Sequence, residues 1–117
     1  MAYTINKTDG TIIAQVEDGV LNNDTSMQLI GRNYQSYGEP FNENLVKLLE
    51  NSASTTAPTT PIRGELWYDV TSLQLKVYDG SNFVAIASTR SSATAPTSGV
   101  RTGDLWNHII NDQLYLY

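Results

Sequence analysis

The single histidine, His108, is the first residue whose type could support catalysis. A Ser–His–Asp hydrolase needs its histidine oriented by a buried acid and set against a nucleophile. The neighbours Trp106, Asn107 and Ile109 do not resemble the nucleophile turn of such enzymes. We therefore interpret His108 as a strand or turn residue that faces solvent, and we predict that the protein is not an enzyme.

Oxygen-bearing side chains also cluster at residues 79–82, which read Asp-Gly-Ser-Asn. A calcium loop needs oxygens at alternate positions and a distal bidentate acid, and this segment lacks both. The glycines form neither a GxGxxG nor a Walker pattern, and the absence of cysteine removes thiolate metal ligands. The sequence predicts no metal and no cofactor, and it predicts a hairpin turn at residues 79–82.

The charge pattern argues against two classes of partner. The 117 residues carry a net charge of −5, and Lys and Arg are not clustered. Because binding to phosphates requires such clusters, we expect no nucleic-acid partner and no attachment to an anionic membrane. The first residues lack the pattern of a signal peptide, and no stretch approaches the roughly 18 apolar residues of a membrane span.

A repeat dominates the second half of the chain. Residues 64–78 match residues 103–117 in Gly, Leu, Trp, Gln, Leu and Tyr at a constant offset of 39. Upstream, Thr-Ala-Pro-Thr at residues 56–59 returns at residues 94–97 at an offset of 38, because Thr102 is inserted before the second glycine. A fixed period of this size indicates a repeat array, whose units usually need neighbours to bury their apolar faces.

The residues before the repeats predict a small α+β module, residues 1–52. Alternating apolar and polar residues on both sides of Thr8-Asp9-Gly10 predict a β-hairpin, and a β-suited run predicts a strand at residues 25–30. One helix is predicted at residues 40–51 because Pro40 suits the first turn. The apolar stripe of this helix consists of Phe41, Leu45, Leu48 and Leu49. The stripe either packs on the hairpin or forms a seam between subunits.

The predicted fold class is mainly β with one short helix, in which repeated three-stranded β-meanders follow the N-terminal module. Residues 53–62 and 88–99 are interpreted as Ser/Thr/Pro linkers. Repeat 1 (63–87) has predicted strands at 65–70, 73–78 and 83–87, and repeat 2 (100–117) lacks the third strand, so we expect a longer natural product. The residues expected to pack repeats or subunits together are Leu66, Trp67, Tyr68, Leu75, Val77, Tyr78, Leu105, Trp106, Leu114 and Leu116.

Two stretches of the chain resemble a known group of proteins. The opening MAYTINKTDGTI, with SMQLIGRNYQSYGEPFNENLVKLLENSAS, resembles the N-terminal region of virion structural proteins of tailed bacteriophages, notably contractile-tailed phages of marine cyanobacteria. The unit TAPTTPIRGELWYDVTSLQLKVYDGSNFV resembles repeats of phage tail-fibre and fibre-like appendage proteins. The second copy reads Trp106-Asn107-His108 instead of Trp-Tyr-Asp, so it fits the pattern less closely.

The resemblance implies a homotrimeric fibre, made in the host cytoplasm and located in the virion. The N-terminal module would anchor it to baseplate, tail, neck or capsid proteins, and the β-repeats would form the base of a shaft used in host attachment. The candidate anchoring residues lie in the hairpin and in a polar-aromatic cluster suited to protein interfaces. They are Tyr3, Ile5, Arg32, Tyr34 and Tyr37. The alternative role of these residues is to close the core of the module itself.

A carbohydrate-binding module is the alternative function. Aromatic rings on a β-surface can stack on sugars, and repeats would add avidity. The partner would then be a host surface glycan. Packing between strands or subunits is the structural alternative for the same rings, because small modules draw most of their burial from such residues. A glycan-degrading tailspike ranks last, since the paired carboxylates of that chemistry are not evident.

Overall fold

A computed structural model describes residues 1–86, 89–98 and 100–117 of the chain. These residues form two compact units, each with its own contacts. Unit 1 contains Met1–Ala53 and Pro58–Ile62, and unit 2 contains Ser54–Ala57 and Arg63–Tyr117. Strands prevail and one short helix is described, so the predicted fold class, mainly β with one short helix, is confirmed.

Unit 1 begins with the predicted β-hairpin. Strand β1 (Tyr3–Asn6) pairs antiparallel with β2 (Ile12–Val16). The turn is held by the Asp9 carboxylate, which accepts hydrogen bonds from the backbone N–H of Thr11 at 2.9 Å and from its hydroxyl at 2.6 Å. These bonds stabilise the ionised carboxylate and lower the pKa of Asp9 below its usual value. The alternation that predicted β2 places its buried residues on one face, and they are Ala14 and Val16.

A second short ladder packs tightly against the backbone that follows β2. Strands β3 (Leu21–Asn22) and β4 (Leu29–Ile30) are antiparallel, and the N–H of Gly31 donates to the Val20 carbonyl at 2.8 Å. A Cβ atom on Gly31 would lie 2.1 Å from the carbonyl oxygen of Glu17. Only glycine therefore allows these two backbone segments to approach each other.

Helix α1 (Gly38–Leu49) covers most of the predicted helix at residues 40–51. It ends at Leu49 because the next turn leaves the helical conformation: Asn51 and Ser52 have φ angles of 53° and 55°. The N–H of Ser52 donates to the Lys47 carbonyl at 2.8 Å, which satisfies one of the unpaired carbonyls at the helix end.

The side of α1 that packs inward is polar. The Asn44 amide nitrogen donates to the Gln28 carbonyl at 2.7 Å, and the N–H of Gln28 donates to the Asn44 amide oxygen at 3.1 Å. The Lys47 ammonium donates to the Ser26 carbonyl at 2.6 Å. These side chains bind backbone groups that a neighbouring strand would otherwise pair. The strand predicted at residues 25–30 is therefore reduced to β4.

Unit 2 opens with an antiparallel sheet of three strands, in the order β5 (Leu66–Asp69), β6 (Gln74–Tyr78) and β7 (Phe83–Ala85). This is the meander predicted for repeat 1, with each strand shorter than predicted. Residue Ala87, the predicted end of the third strand, lies outside the described residues.

Repeat 2 has a different third strand. Strand β8 (Thr89–Ser92) pairs in parallel with β9 (Leu105–His108), which in turn pairs antiparallel with β10 (Gln113–Leu116). Strand β8 falls inside residues 88–99, which were predicted to be a linker. Its polar sequence, Thr-Arg-Ser-Ser, lacks the apolar alternation that identifies a half-buried strand.

The close approach at Gly31 can be tested by substitution. Gly31→Ala forces the backbone of Glu17 away, and we expect it to destabilise unit 1 by about 3 kcal/mol, the upper part of the usual range for single substitutions. Urea denaturation followed by far-ultraviolet circular dichroism reports on unit 1, because α1 belongs to it.

Gly38→Ala is the matched control for this substitution. Gly38 is the first residue of α1, and a Cβ atom there would meet nothing within 4 Å. We expect this variant to be as stable as the wild type or more stable, since alanine favours helices. Equal stabilities of the two variants would contradict the proposed packing.

Candidate functional site

The two repeats are built on the same backbone frame in unit 2. In repeat 1, Ser54 forms a parallel bridge with Asp69, and in repeat 2, Ser92 lies opposite His108 at the end of the β8–β9 ladder. In each repeat, the residue after the bridged hairpin residue donates its N–H to the serine carbonyl. Val70 donates to Ser54 and Ile109 donates to Ser92, both at 3.2 Å. Each hairpin therefore receives a parallel segment from upstream.

A tryptophan fastens this upstream segment to each hairpin. The indole N–H of Trp67 donates to the Ser54 hydroxyl at 3.3 Å, and that hydroxyl donates to the Thr56 carbonyl at 2.5 Å. The same chain of hydrogen bonds, with distances of 2.9 and 2.6 Å, recurs in repeat 2 and links Trp106, Ser92 and Thr94. We refer to these two chains of hydrogen bonds as the Trp–Ser clasps.

Backbone conformation repeats together with the clasps. Gly64 and Gly103 open the two hairpins with φ angles of 93° and 98°. Their N–H groups donate to the carbonyls of Tyr78 and Tyr117, at 2.8 and 2.6 Å. The glycines are required because side-chain-bearing residues rarely adopt this conformation. The offset of 39 residues in sequence therefore corresponds to a structural repeat.

The sheet face that carries Trp67 is closely packed in repeat 1. Trp67 is only 7% exposed, the edge of its ring meets Phe83 at a centroid distance of 5.3 Å, and the Lys76 ammonium lies 5.0 Å from its ring centre. Lys76 also forms an ion pair with the Asp69 carboxylate at 2.9 Å. The hydrogen bond from Lys76, assisted by those from Ser72 and Thr71, lowers the pKa of Asp69 from its usual 3.8 to about 2, against the opposing effect of burial.

Repeat 2 replaces this ion pair with an aromatic cluster. His108 occupies the position of Asp69, and its Nδ1 accepts a hydrogen bond from the N–H of Asn111 at 3.0 Å. Tyr115 replaces Lys76 and stacks on Trp106 at 4.9 Å, while the His108 ring meets the edge of Trp106 at 5.1 Å. His108 is half-buried and closes the turn, so it is not the solvent-facing residue expected from the sequence.

The residues predicted to pack the repeats fall into three groups. Trp67 is buried. Tyr68, Leu75, Val77, Tyr78, Leu105 and Trp106 are half-buried. The remaining three, Leu66, Leu114 and Leu116, are exposed. Leu114 and Leu116 of repeat 2 are the most exposed, at 63% and 73%.

The structure brings together two of the five candidate anchoring residues. The Arg32 guanidinium lies 4.6 Å from the ring centre of Tyr3, and its Nε atom lies 3.8 Å from the Asp18 carboxylate. Ile5 and Tyr34 are half-buried, whereas Tyr37 is exposed immediately before α1. The cation–π pair between Arg32 and Tyr3 of the hairpin is the part of this set with a defined geometry.

The apolar stripe of α1 faces solvent. Its four residues are all exposed, from 48% to 85%, and are Phe41, Leu45, Leu48 and Leu49. Because Asn44 and Lys47 turn the polar side of the helix inward, the stripe does not pack on the N-terminal hairpin within unit 1. Of the two roles predicted for the stripe, packing on the hairpin is therefore not observed, and a seam between subunits stays a prediction.

Three further features bear on chemistry. Among residues 1–86, 89–98 and 100–117, no group of three or more His, Asp or Glu side chains is placed to hold a metal ion. In the same ranges, no helix combines the length and apolar character needed to cross a membrane. A polar groove in unit 1 is lined by the residues that join α1 to the backbone before β4, including Gln28, Asn44 and Lys47. The side chains of Asn44 and Lys47 already have structural partners, which are backbone groups of Gln28 and Ser26.

The serines of the clasps were not predicted from the sequence. Ser54 and Ser92 were placed in linkers, and their pairing with distant tryptophans is not visible in local periodicity. Their separation of 38 residues, the same as that of the adjacent Thr-Ala-Pro-Thr motifs, was the available signal.

Comparison with known protein families, with curated proteins and with solved structures found no match.

The clasp in repeat 2 gives a direct stability test. Ser92→Ala leaves the half-buried indole N–H of Trp106 without its acceptor, and we expect a loss of about 1 kcal/mol. Ser91→Ala is the control, because Ser91 is exposed on the other face of the same strand. Denaturation followed by tryptophan fluorescence reports on unit 2, which contains both tryptophans. Equal losses in the two variants would exclude a stabilising role for the clasp.

The lowered pKa of Asp69 predicts a pH dependence. Its carboxylate stabilises the folded state fully above the unfolded-state pKa near 3.8, and this contribution is lost as pH falls toward about 2. The thermal midpoint of unit 2 should fall more steeply between about pH 4 and pH 2 in the wild type than in Asp69→Asn. Some pH dependence should remain in that variant, because hydrogen bonds from Asn82 and Ser81 also lower the pKa of Asp79.

Asp112→Asn is the control for the pH experiment. Asp112 is an exposed turn residue of repeat 2, so its substitution removes a carboxylate but keeps the Asp69–Lys76 pair. Identical profiles for the wild type and Asp69→Asn would contradict the role assigned to the Asp69–Lys76 pair.

Proposed function

We propose that this chain is a structural protein of a tailed-bacteriophage virion that forms the N-terminal anchor and shaft base of a tail fibre or similar appendage used in host attachment. Unit 1 serves as the anchor and unit 2 as the start of the shaft. The protein functions as a homotrimer in the virion, docked on other virion proteins, and it carries out no catalysis. The observation that most supports this proposal is the exposed apolar stripe of α1.

The stripe has the spacing of an intermolecular helix seam. Phe41, Leu45 and Leu48 follow one another at intervals of four and three residues, the alternation found at the core positions of coiled coils. Each apolar side chain of this size contributes about 1.5–3 kcal/mol when it is fully buried rather than exposed. Exposure of four such side chains on one short helix therefore favours a contact between chains.

The repeat frame supports the shaft assignment. Each hairpin receives a parallel segment from upstream, and the start of β8 lies only a few residues after the end of β7. The segment that follows the last strand of repeat 1 therefore pairs in parallel with the hairpin of repeat 2. The same arrangement can be extended by further repeats, as an elongated appendage requires.

The alternative, a carbohydrate-binding module, is less well supported. Trp67 is buried between Phe83 and Lys76, so its ring is not offered to a ligand. In repeat 2 the sugar-stacking candidate would be Tyr115, which is 41% exposed but already stacks on Trp106. A glycan array probed with the wild type and with Tyr115→Ala would detect this activity, and binding lost in the variant would favour the alternative.

The proposal predicts that α1 mediates self-association. The double variant Leu45→Glu/Leu48→Glu places two charges in the stripe and should convert a trimer into monomers, because burying unpaired carboxylates is strongly unfavourable. Sedimentation velocity across a protein concentration series measures this change directly.

Asn42→Glu/Val46→Glu is the matched control, since it adds the same charge at exposed positions of α1 outside the stripe. The control should keep the mass of the wild type. A wild type that is monomeric at all concentrations would contradict homotrimerisation through this face, and a control that dissociates equally would assign the effect to charge alone.

A further inference from the structure

His108 holds the turn between β9 and β10 with an unprotonated ring nitrogen. Its Nδ1 atom accepts a hydrogen bond from the backbone N–H of Asn111 at 3.0 Å. We call this hydrogen bond the turn cap of repeat 2. An imidazole nitrogen accepts only while it carries no proton, so the ring is neutral and its single proton is on Nε2. The conformation of this turn is therefore linked to the protonation state of one side chain.

Repeat 1 forms the same turn cap with a different group. Asp69 is the counterpart of His108 at the offset of 39, and Ser72 is the counterpart of Asn111. The Asp69 carboxylate accepts the N–H of Ser72 at 3.3 Å and that of Thr71 at 3.0 Å. Because the pKa of Asp69 is lowered to about 2, this cap stays ionised in mildly acidic solution. Between about pH 5 and pH 8, only the cap of repeat 2 has a proton to gain.

The aromatic neighbours offer His108 a second set of contacts. The ring centroid of His108 lies 5.1 Å from that of Trp106 and 6.5 Å from that of Tyr115. In repeat 1 the corresponding tryptophan, Trp67, has the Lys76 ammonium 5.0 Å from its ring centre. At the position of this lysine, repeat 2 has Tyr115. A protonated His108 would supply the cation instead, since cations within about 6 Å of an indole centre are attracted to its π face.

The other titratable and charged groups packed around His108 keep their charge in the same pH range. Strand β10 contributes Tyr115, which lies on the same face as His108, and β8 contributes Arg90, two residues before the position opposite His108. The turn itself contributes Asp112. Tyrosine, arginine and carboxyl groups ordinarily change charge outside the range from about pH 5 to pH 8. The chain has no second histidine and no cysteine, so protonation of unit 2 in this range falls on His108.

We infer that His108 is a pH-sensitive switch in repeat 2. The neutral ring accepts the Asn111 N–H and holds the turn. Protonation makes Nδ1 a donor, so the turn cap is lost and the imidazolium turns toward Trp106, where it takes the role that a lysine ammonium has in repeat 1. Mildly acidic conditions therefore open the β9–β10 turn and leave the β5–β6 turn closed. The inference rests on the repeat geometry and does not depend on the proposed function.

Amide hydrogen exchange of the 117-residue protein, followed by nuclear magnetic resonance at about pH 7.5 and about pH 5, tests the switch. Each rate is divided by that of an unstructured peptide at the same pH, which removes the intrinsic pH dependence of exchange. We expect the protection of the Asn111 amide to fall by about fivefold at the lower pH, the ratio equivalent to one net hydrogen bond of about 1 kcal/mol. The amide of Ser72 is the internal control and should keep its protection.

Two variants separate protonation of His108 from other effects of acid. His108→Asp introduces the carboxylate that repeat 1 uses, and His108→Asn introduces an amide oxygen that can accept the same bond. Neither side chain ordinarily titrates between about pH 5 and pH 8. In both variants the protection of the Asn111 amide should be the same at the two pH values. The uncharged variant keeps the test available if the carboxylate destabilises the aromatic cluster.

Four results would overturn the inference. The first is a His108 ring whose resonances do not titrate between the two pH values. The second is unchanged protection of the Asn111 amide while those resonances do titrate. The third is an equal loss of protection at Ser72, which would indicate that acid loosens unit 2 as a whole. The fourth is the same loss at Asn111 in His108→Asn, because that side chain gains no proton in this range.

Discussion

The hydrogen bond from an indole N–H to a serine hydroxyl is the interaction on which the repeats depend. It joins a polar upstream segment to a hairpin that begins ten or more residues later, at Trp67 with Ser54 and at Trp106 with Ser92. The net contribution of one such bond is only about 1 kcal/mol. Its position matters more, because it fixes the upstream segment that pairs in parallel with each hairpin, through a single bridge in repeat 1 and through strand β8 in repeat 2.

In unit 1 the polar side of helix α1 faces inward, which is the reverse of the usual arrangement. Its helix directs Asn44 and Lys47 inward, where they bind backbone carbonyls, and directs the apolar stripe outward. A helix in a globular domain usually buries its apolar face. The inverted orientation is stable here because the inward polar groups are hydrogen-bonded, and it leaves the apolar stripe exposed.

Patterns confined to neighbouring residues were readable from the sequence. Period-two alternation located the hairpin of β1 and β2, and the match of residues 64–78 with residues 103–117 at an offset of 39 located the hairpins of both repeats. The sequence could not show which face of α1 packs inward, because amphipathicity does not say whether an apolar face meets the same chain or another. It also could not show β8 or the role of Ser54, since polar segments acquire strand character only through a distant partner.

Hydrogen exchange of the tryptophan indoles tests whether both repeats form the same clasped frame. We expect slowed exchange of the indole N–H of both Trp67 and Trp106, with protection of the amides of Val70 and Ile109 that close the parallel bridges. Free exchange at Trp106 and Ile109, with protection confined to repeat 1, would contradict it. The sequence repeat would then not be a structural one.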